Sequence, residues 1–174
     1  MLFRSIMAGN PECCLSVTEW RARFSGWFDG GNPAALLNAS IYFDFRGMYG
    51  DLELAGELRR WLCEAARERP LFLRLLAENA LRARPALGLL GGLSTSGTDR
   101  RLDLKLHGAL PFTDAARVFA LAHGIESSNT CRRLREFGAT RGVACAESGA
   151  WTDAFLFIQS LRMRHQQFQI EHDE

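Results

Sequence analysis

The chain has 174 residues, 47% hydrophobic and 24% charged, which suffices for one globular domain with a substantial core. A formal net charge of +1 excludes broad electrostatic attraction to nucleic acid or to an acidic membrane. No apolar run approaches the roughly 20 residues that span a bilayer, and the N-terminus lacks a signal-peptide apolar region, which predicts a cytoplasmic protein with no membrane or nucleic-acid partner.

The five cysteines are odd in number, scattered and without a C-x-x-C pair, so the spacing gives neither a disulfide framework nor a zinc site. Residues 1–15 are too irregular for a helix and read as a linker or the remnant of an upstream domain. Ser16 and Glu19 form a capping box, and Trp20, Phe24, Trp27 and Phe28 follow at helical spacing, which predicts a first helix over Val17–Phe28 with aromatics in the core. Asn32 then caps a second helix that opens on Pro33 and runs to about Arg46. Asp51 caps a third, whose apolar stripe is Leu54, Leu58, Trp61, Leu62 and Ala65, with its arginines on the wet face. Pro70 opens a fourth, with Phe72, Leu75, Leu76, Ala80 and Leu81 inward and Pro85 as its stop. The glycines and small polar residues of 88–97 read as a loop.

From Arg101 to His107, Leu102, Leu104 and Leu106 alternate with charged residues, the two-residue period of a half-buried strand. Gly108 and Pro111 break that run, and Thr113-Asp114 starts a helix, so a charged strand would meet a helix N-terminus in an anion-binding arrangement. Lys105 lies within it and is the only lysine in a chain with 21 lysines and arginines together. A fifth helix follows over Ala115–His123, closed by Gly124. Ser128 or Asn129 caps a sixth that runs to Phe137 and stops at Gly138, and a long last helix begins at Ala150. The pattern is that of an all-α bundle of about six helices, with one short extended segment near 101–107. The helical domain takes residues 16–170, and 171–174 form a tail.

Chemistry is sparse in these patterns. There is no G-x-S-x-G elbow, and His107, His123, His165 and His172 make no H-E-x-x-H or other ligand pair. Gly91-Gly-Leu-Ser94 with Asp99 and Asp103 lacks the D-x-D spacing that lets two carboxylates converge on metal ions, and reads as a turn. What remains are charged residues at element ends: Asp44 and Arg46, Asp103 and Lys105, Arg132 and Arg133, and Arg162. Singly, such residues most often satisfy helix carbonyls or ride a solvated face.

Their order along the chain is more informative. Met7-Ala-x-Asn-Pro, Glu19-Trp20 with Trp27, Ile41-Tyr-Phe-Asp-Phe-Arg46 leading to Gly50-Asp51, Asp103-Leu-Lys105 with Gly108 and Pro111, Ala116-Arg117, Asn129-Thr130 with Arg133-Leu134, and Leu161-Arg162-x-x-His165-Gln166 together resemble the putative nucleotidyltransferase substrate-binding domain family. The resemblance runs over nearly the whole chain. It implies a helical domain that follows a nucleotidyltransferase catalytic domain, itself often preceded by cyclic-nucleotide-binding and CBS modules. More distantly, three stretches are similar to glutamine synthetase adenylyltransferases and to the uridylyltransferases of the nitrogen-signalling PII protein, which implies a role in signal transduction. The Ala-Arg-x-x-x-Gly-Asp run of those enzymes is reduced here to Arg46-Gly-Met-Tyr-Gly50-Asp51. Their second motif is degraded, because Ala109 stands where a second glycine would be and no arginine precedes Asp114.

On this resemblance Lys105, Arg46 and Arg133 offer positive charge to an acidic or phosphate-bearing acceptor, and Asp44 and Asp103 orient them. The Gly-Ser turn and paired aspartates that hold a nucleoside triphosphate and Mg²⁺ in this superfamily do not occur in the chain. The expectation is therefore a fragment that carries no catalytic residue, metal or cofactor and is inactive alone, with triphosphate and Mg²⁺ belonging to an upstream catalytic partner domain. A rival expectation is a non-catalytic helical protein-protein interaction module, marked by exposed apolar surface away from Lys105. An independent enzyme is a third, unsupported by any nucleophile or metal cluster.

Overall fold

In the computed structural model, which describes residues 10–82 and 102–172, seven α-helices account for most of the described chain, and no strand occurs among those residues. The fold is all-α. Ser16 caps α1 (Val17–Gly30): its hydroxyl accepts from the Glu19 N–H while the Glu19 carboxylate accepts from the Ser16 N–H at 2.7 Å. The α1 helix ends at Gly31, whose φ of 53° is the left-handed conformation that glycine adopts without steric penalty. Asn32 then caps α2 (Pro33–Tyr42) by accepting from the Ala35 N–H at 2.9 Å. This helix stops four residues short of the expected Arg46, because Phe43 turns inward as its C-cap and is fully buried.

Helices α3 (Leu52–Arg67) and α4 (Pro70–Ala80) pack over α1 and α2 and close an aromatic core. Phe24 and Phe28 of α1, Phe43, and Phe72 of α4 lie ring against ring, with Leu36, Leu58, Leu62 and Leu76 around them. Leu54 and Leu81, expected inward, are exposed at the helix ends, where no helix among the described residues covers them. The expected Pro85 stop, the 88–97 loop, most of the N-terminal linker and the last two tail residues lie outside the described residues.

The extended segment expected over 101–107 is instead a turn at Leu104 and helical from Lys105 onward. Asp103 takes its backbone out of the strand conformation by accepting the N–H groups of Lys105 and Leu106 at 2.8 and 2.9 Å, as a helix cap does. The turn it starts, Lys105–Ala109, is π-helical and runs straight into α5 (Leu110–His123). Pro111 has no N–H for the His107 carbonyl, so an ordinary α-turn would lose a bond there, and the wider turn accommodates the proline ring.

Helix α5 packs against α3, α4 and α6 (Thr130–Thr140), and α6 carries α7 (Cys145–Glu171) on its far side. Gly138, expected to stop α6, sits inside it. Its role is close approach: a Cβ there would lie 2.7 Å from Ser148 Cβ on α7. Gly138→Ala is expected to cost about 1–3 kcal/mol through overpacking, and Ser148→Gly in the same chain should restore part of it. Urea unfolding of the four variants measures this, and simple additivity would show that the two positions do not touch.

Helix α7 starts five residues before the expected Ala150 and, at 27 residues, is about 40 Å long at 1.5 Å per residue. Its first half is covered by α6 and the π turn, while Met163, Phe168 and Ile170 in its second half are exposed.

Candidate functional site

The residues singled out from the sequence fall into two groups. The first is buried around the end of α2, where Phe43 and Asp44 leave the helix and α3, α5 and α6 each direct an arginine at them. Arg117 donates from Nε and Nη2 to Asp44 Oδ2 at 3.1 and 2.8 Å. Arg133 donates from Nη2 to Asp44 Oδ1 at 2.6 Å and from Nε to the Ser127 carbonyl at 2.6 Å. Arg59 donates from Nη1 to the Phe43 carbonyl and lies over the Phe45 ring, 5.0 Å from its centroid. Arg117 also donates to Asp114 Oδ1 at 2.7 Å.

The three arginines are 6% (Arg59), 7% (Arg117) and 1% (Arg133) exposed, and the Asp44 side chain is 25% exposed. Burial alone would raise the Asp44 carboxyl, but the charges of Arg117 and Arg133 and their hydrogen bonds outweigh it and hold the group below the usual Asp value. Asp114 has the opposite balance. Burial dominates there, Asp44 adds repulsion, and Arg117 reverses only part, so its carboxyl is raised. Arg59 is lowered by burial first and by the nearby Arg133 second. Each charge-assisted bond ties the chain leaving α2 to a different helix: α5 and α6 meet at the Asp44 carboxylate, and α3 is held at the adjoining Phe43 carbonyl.

The second group is open to solvent. The π turn and the second half of α7 enclose a depression of about 310 Å³ lined by Asp103, Lys105, Arg162, His165, Gln166 and Gln169 among others. Two sequence stretches some sixty residues apart, Asp103-Leu-Lys105 and Arg162-x-x-His165-Gln166, thus form one surface. Gly108 permits the approach: a Cβ there would come 3.0 Å from Ile158 Cγ2 of α7. Arg162 is aimed by its hydrogen bond from Nη1 to Gln159 Oε1 at 2.7 Å. Lys105 is exposed and its ammonium makes no ion pair among the described residues. The Asp103 carboxylate is occupied as a cap, and the Leu106 N–H, followed by that of Lys105, lowers it below its usual value. Two cations, an imidazole and two carboxamides suit a ligand carrying negative charge and several acceptor oxygens.

Asp44 and Arg133 therefore meet inside the fold, Asp103 and Lys105 meet on its surface, and Arg46 belongs to neither group, lying exposed on the loop between α2 and α3. The sequence reading missed Arg59, assigned to the wet face, and gave Arg117 and Asp114 no role. A signal existed for Arg59: it stands four residues before Cys63 and seven before Ala66, both buried, which is the spacing of an inward helical stripe. Among the described residues no three His, Cys, Asp or Glu side chains are grouped to hold a metal ion, and no helix is long and apolar enough to cross a membrane.

One comparison covers the second half of this architecture. The family model described as putative nucleotidyltransferase substrate binding domain matches residues 70–174, from the first turn of α4 through α7 and so across Lys105, Arg117, Arg133 and Arg162. No curated protein sequence and no solved structure matches the chain. With 70–174 being more than half of its length, the chain belongs to the putative nucleotidyltransferase substrate-binding domain family.

Proposed function

We propose that this chain serves a nucleotidyltransferase catalytic domain, joined to it or associated with it, by binding the acceptor of the transferred nucleotide at the Lys105 depression. The single observation that carries this reading is the junction of Asp103-Leu-Lys105 with Arg162, His165 and Gln166 in one open depression, within the part of the chain that matches the family. Lys105 and Arg162 attract an acidic or phosphate-bearing acceptor, Gln166 and Gln169 offer it hydrogen bonds, and Asp103 holds the turn that carries Lys105. Asp44 and Arg133 act from within by fixing the helices behind this surface. Arg46 contributes charge from the exposed loop and not from the depression. The nucleoside triphosphate and Mg²⁺ belong to the catalytic partner.

A separate interaction module would show its apolar surface away from Lys105. What favours the substrate-binding reading is that the apolar face of α7, with Leu156, Met163 and Ile170, adjoins the depression, Gln166 lining both. A neighbouring domain seated on that face would stand beside the acceptor.

The test is transfer from labelled nucleoside triphosphate with the catalytic domain present. Lys105→Ala is expected to raise the acceptor KM about tenfold with kcat little changed, as loss of one charge-assisted contact implies. Arg162→Ala should act in the same direction, and Arg74→Ala, on an exposed face of α4, should not. Unchanged KM in both depression variants would end this assignment.

A further inference from the structure

Two donors of the buried arginine cluster have no acceptor. Arg133 Nη1 and Arg59 Nη2 are screened from solvent and hydrogen-bond to nothing among the described residues. They belong to neighbouring guanidinium groups, because Arg59 is bonded to the carbonyl of Phe43 and Arg133 to the carboxylate of the next residue, Asp44. Consecutive α-carbons are only about 3.8 Å apart.

The charges do not balance either. Arg59, Arg117 and Arg133 share two carboxylates, Asp44 and Asp114, and both oxygens of Asp44 are already engaged by arginines. The acid that next affects Arg59 is Glu126, which is exposed. A buried guanidinium with an unmatched N–H carries the full desolvation cost of that donor, and an unmatched positive charge adds to it. A water molecule would satisfy the donors and leave the charge. An oxygen anion satisfies both, and the flat edge of a guanidinium matches the spacing of carboxylate or phosphate oxygens.

We propose that Arg59 and Arg133 form a seat for one oxyanion group, a phosphate or a carboxylate, with Arg59 Nη2 and Arg133 Nη1 as its donors and Asp44 holding Arg133 in place. The seat is distinct from the Lys105 depression. The Asp44 side chain, one quarter exposed, marks the side on which solvent reaches the cluster. An anion there would bridge α3 and α6 across the end of α2, so that occupancy and stability of this junction rise together.

The experiment titrates the full chain with inorganic phosphate and, separately, with acetate, at ionic strength fixed by chloride, and follows the melting temperature. Side-chain nitrogen NMR of the arginines is recorded alongside. One of the two oxyanions should raise the melting temperature saturably, with one ion bound per chain, and the responding ion identifies the class. Arg59→Lys should weaken its apparent Kd by about tenfold or more, since a point charge replaces the planar fork, while Lys105→Ala should leave it unchanged. Equal responses to both oxyanions and to chloride, or an Arg59→Lys chain that binds as tightly as the parent, would overturn the seat. If Arg59→Lys does not fold, the parent chain decides: saturating shifts of the Arg59 and Arg133 signals uphold the proposal, and shifts confined to other arginines refute it. None of these readouts depends on nucleotidyl transfer, so this seat and the Lys105 depression can fail independently.

Discussion

Replacement of Asp44 by Asn is expected to lower the unfolding free energy by about 3 kcal/mol, the lower end of the range for breaking a buried ion pair. The lower end applies because the side chain is one quarter exposed and asparagine keeps one oxygen acceptor. The loss arises from what is left behind: Arg133 would stay buried with its charge unanswered, and Arg117 would keep only Asp114. Asp114→Asn should cost far less, since burial already disfavours the charged form of that carboxyl. The two residues also differ in sign with pH. The Asp44 carboxyl is held below its unfolded value, so its contribution is complete above about pH 3.9 and is lost as pH falls through the lower native value. Asp114 has a raised carboxyl, so the native state takes up its proton first as pH falls, which favours folding between the raised value and about 3.9. Urea midpoints from pH 7 to pH 3 should therefore show a shallower acid loss in Asp44→Asn and a steeper one in Asp114→Asn than in the parent. Parallel curves for all three chains would show that Asp44 is not the hub of the cluster.

Phe43→Ala should be at least as damaging, at about 3–5 kcal/mol. The ring is fully buried and meets Phe24 at 5.1 Å, Phe28 at 5.4 Å and Phe72 at 6.0 Å between centroids, so its loss opens a cavity bordered by α1 and α4. Relaxation into that space is limited, because the chain leaving Phe43 is held: Arg59 grips the Phe43 carbonyl, and two arginines grip Asp44. Phe43→Leu keeps most of the volume and should cost about 1.5 kcal/mol or less. Denaturant unfolding measures both, and a Phe43→Ala chain within 1 kcal/mol of the parent would mean that the aromatic cluster repacks freely, contrary to the close packing of protein interiors. Because Phe43 and Asp44 are consecutive, the apolar core and the ion cluster share a backbone. Their double mutant should be non-additive.

Where the sequence was legible, the determinant was local. The Ser16-Glu19 capping box, Asn32 before Pro33, Asp51 and Asn129 each specify a helix start through bonds made within four residues, and all four act as caps. Apolar spacing identified Phe24, Phe28, Leu58, Leu62, Phe72 and Leu76 as core because a helix displays its own periodicity. The all-α class follows from those two signals together. The order of the motifs also identified the family.

The errors lie where a non-local partner or a competing side chain decided the outcome. Alternating leucines at 102, 104 and 106 satisfy a strand pattern, but the Asp103 carboxylate captures two N–H groups and the chain coils. Gly138 reads as a stop by itself, yet it remains helical because Ser148 of α7 needs the space of its missing side chain. Arg59 has the spacing of an inward residue, but its charge reads as belonging in water, and the acceptor that lets it stay buried is a backbone carbonyl 16 residues away in sequence.

By itself, then, the sequence determined the helices, their caps, the apolar core and the family, since each of these is written in short-range spacing or in motif order. Only the tertiary structure decided which charges meet. It drew Asp44 to Arg117 and Arg133 across 73 and 89 residues, and it brought Lys105 opposite Arg162 across an open depression. Ion pairing depends on separations of a few ångströms and on burial, and neither is a function of distance along the chain.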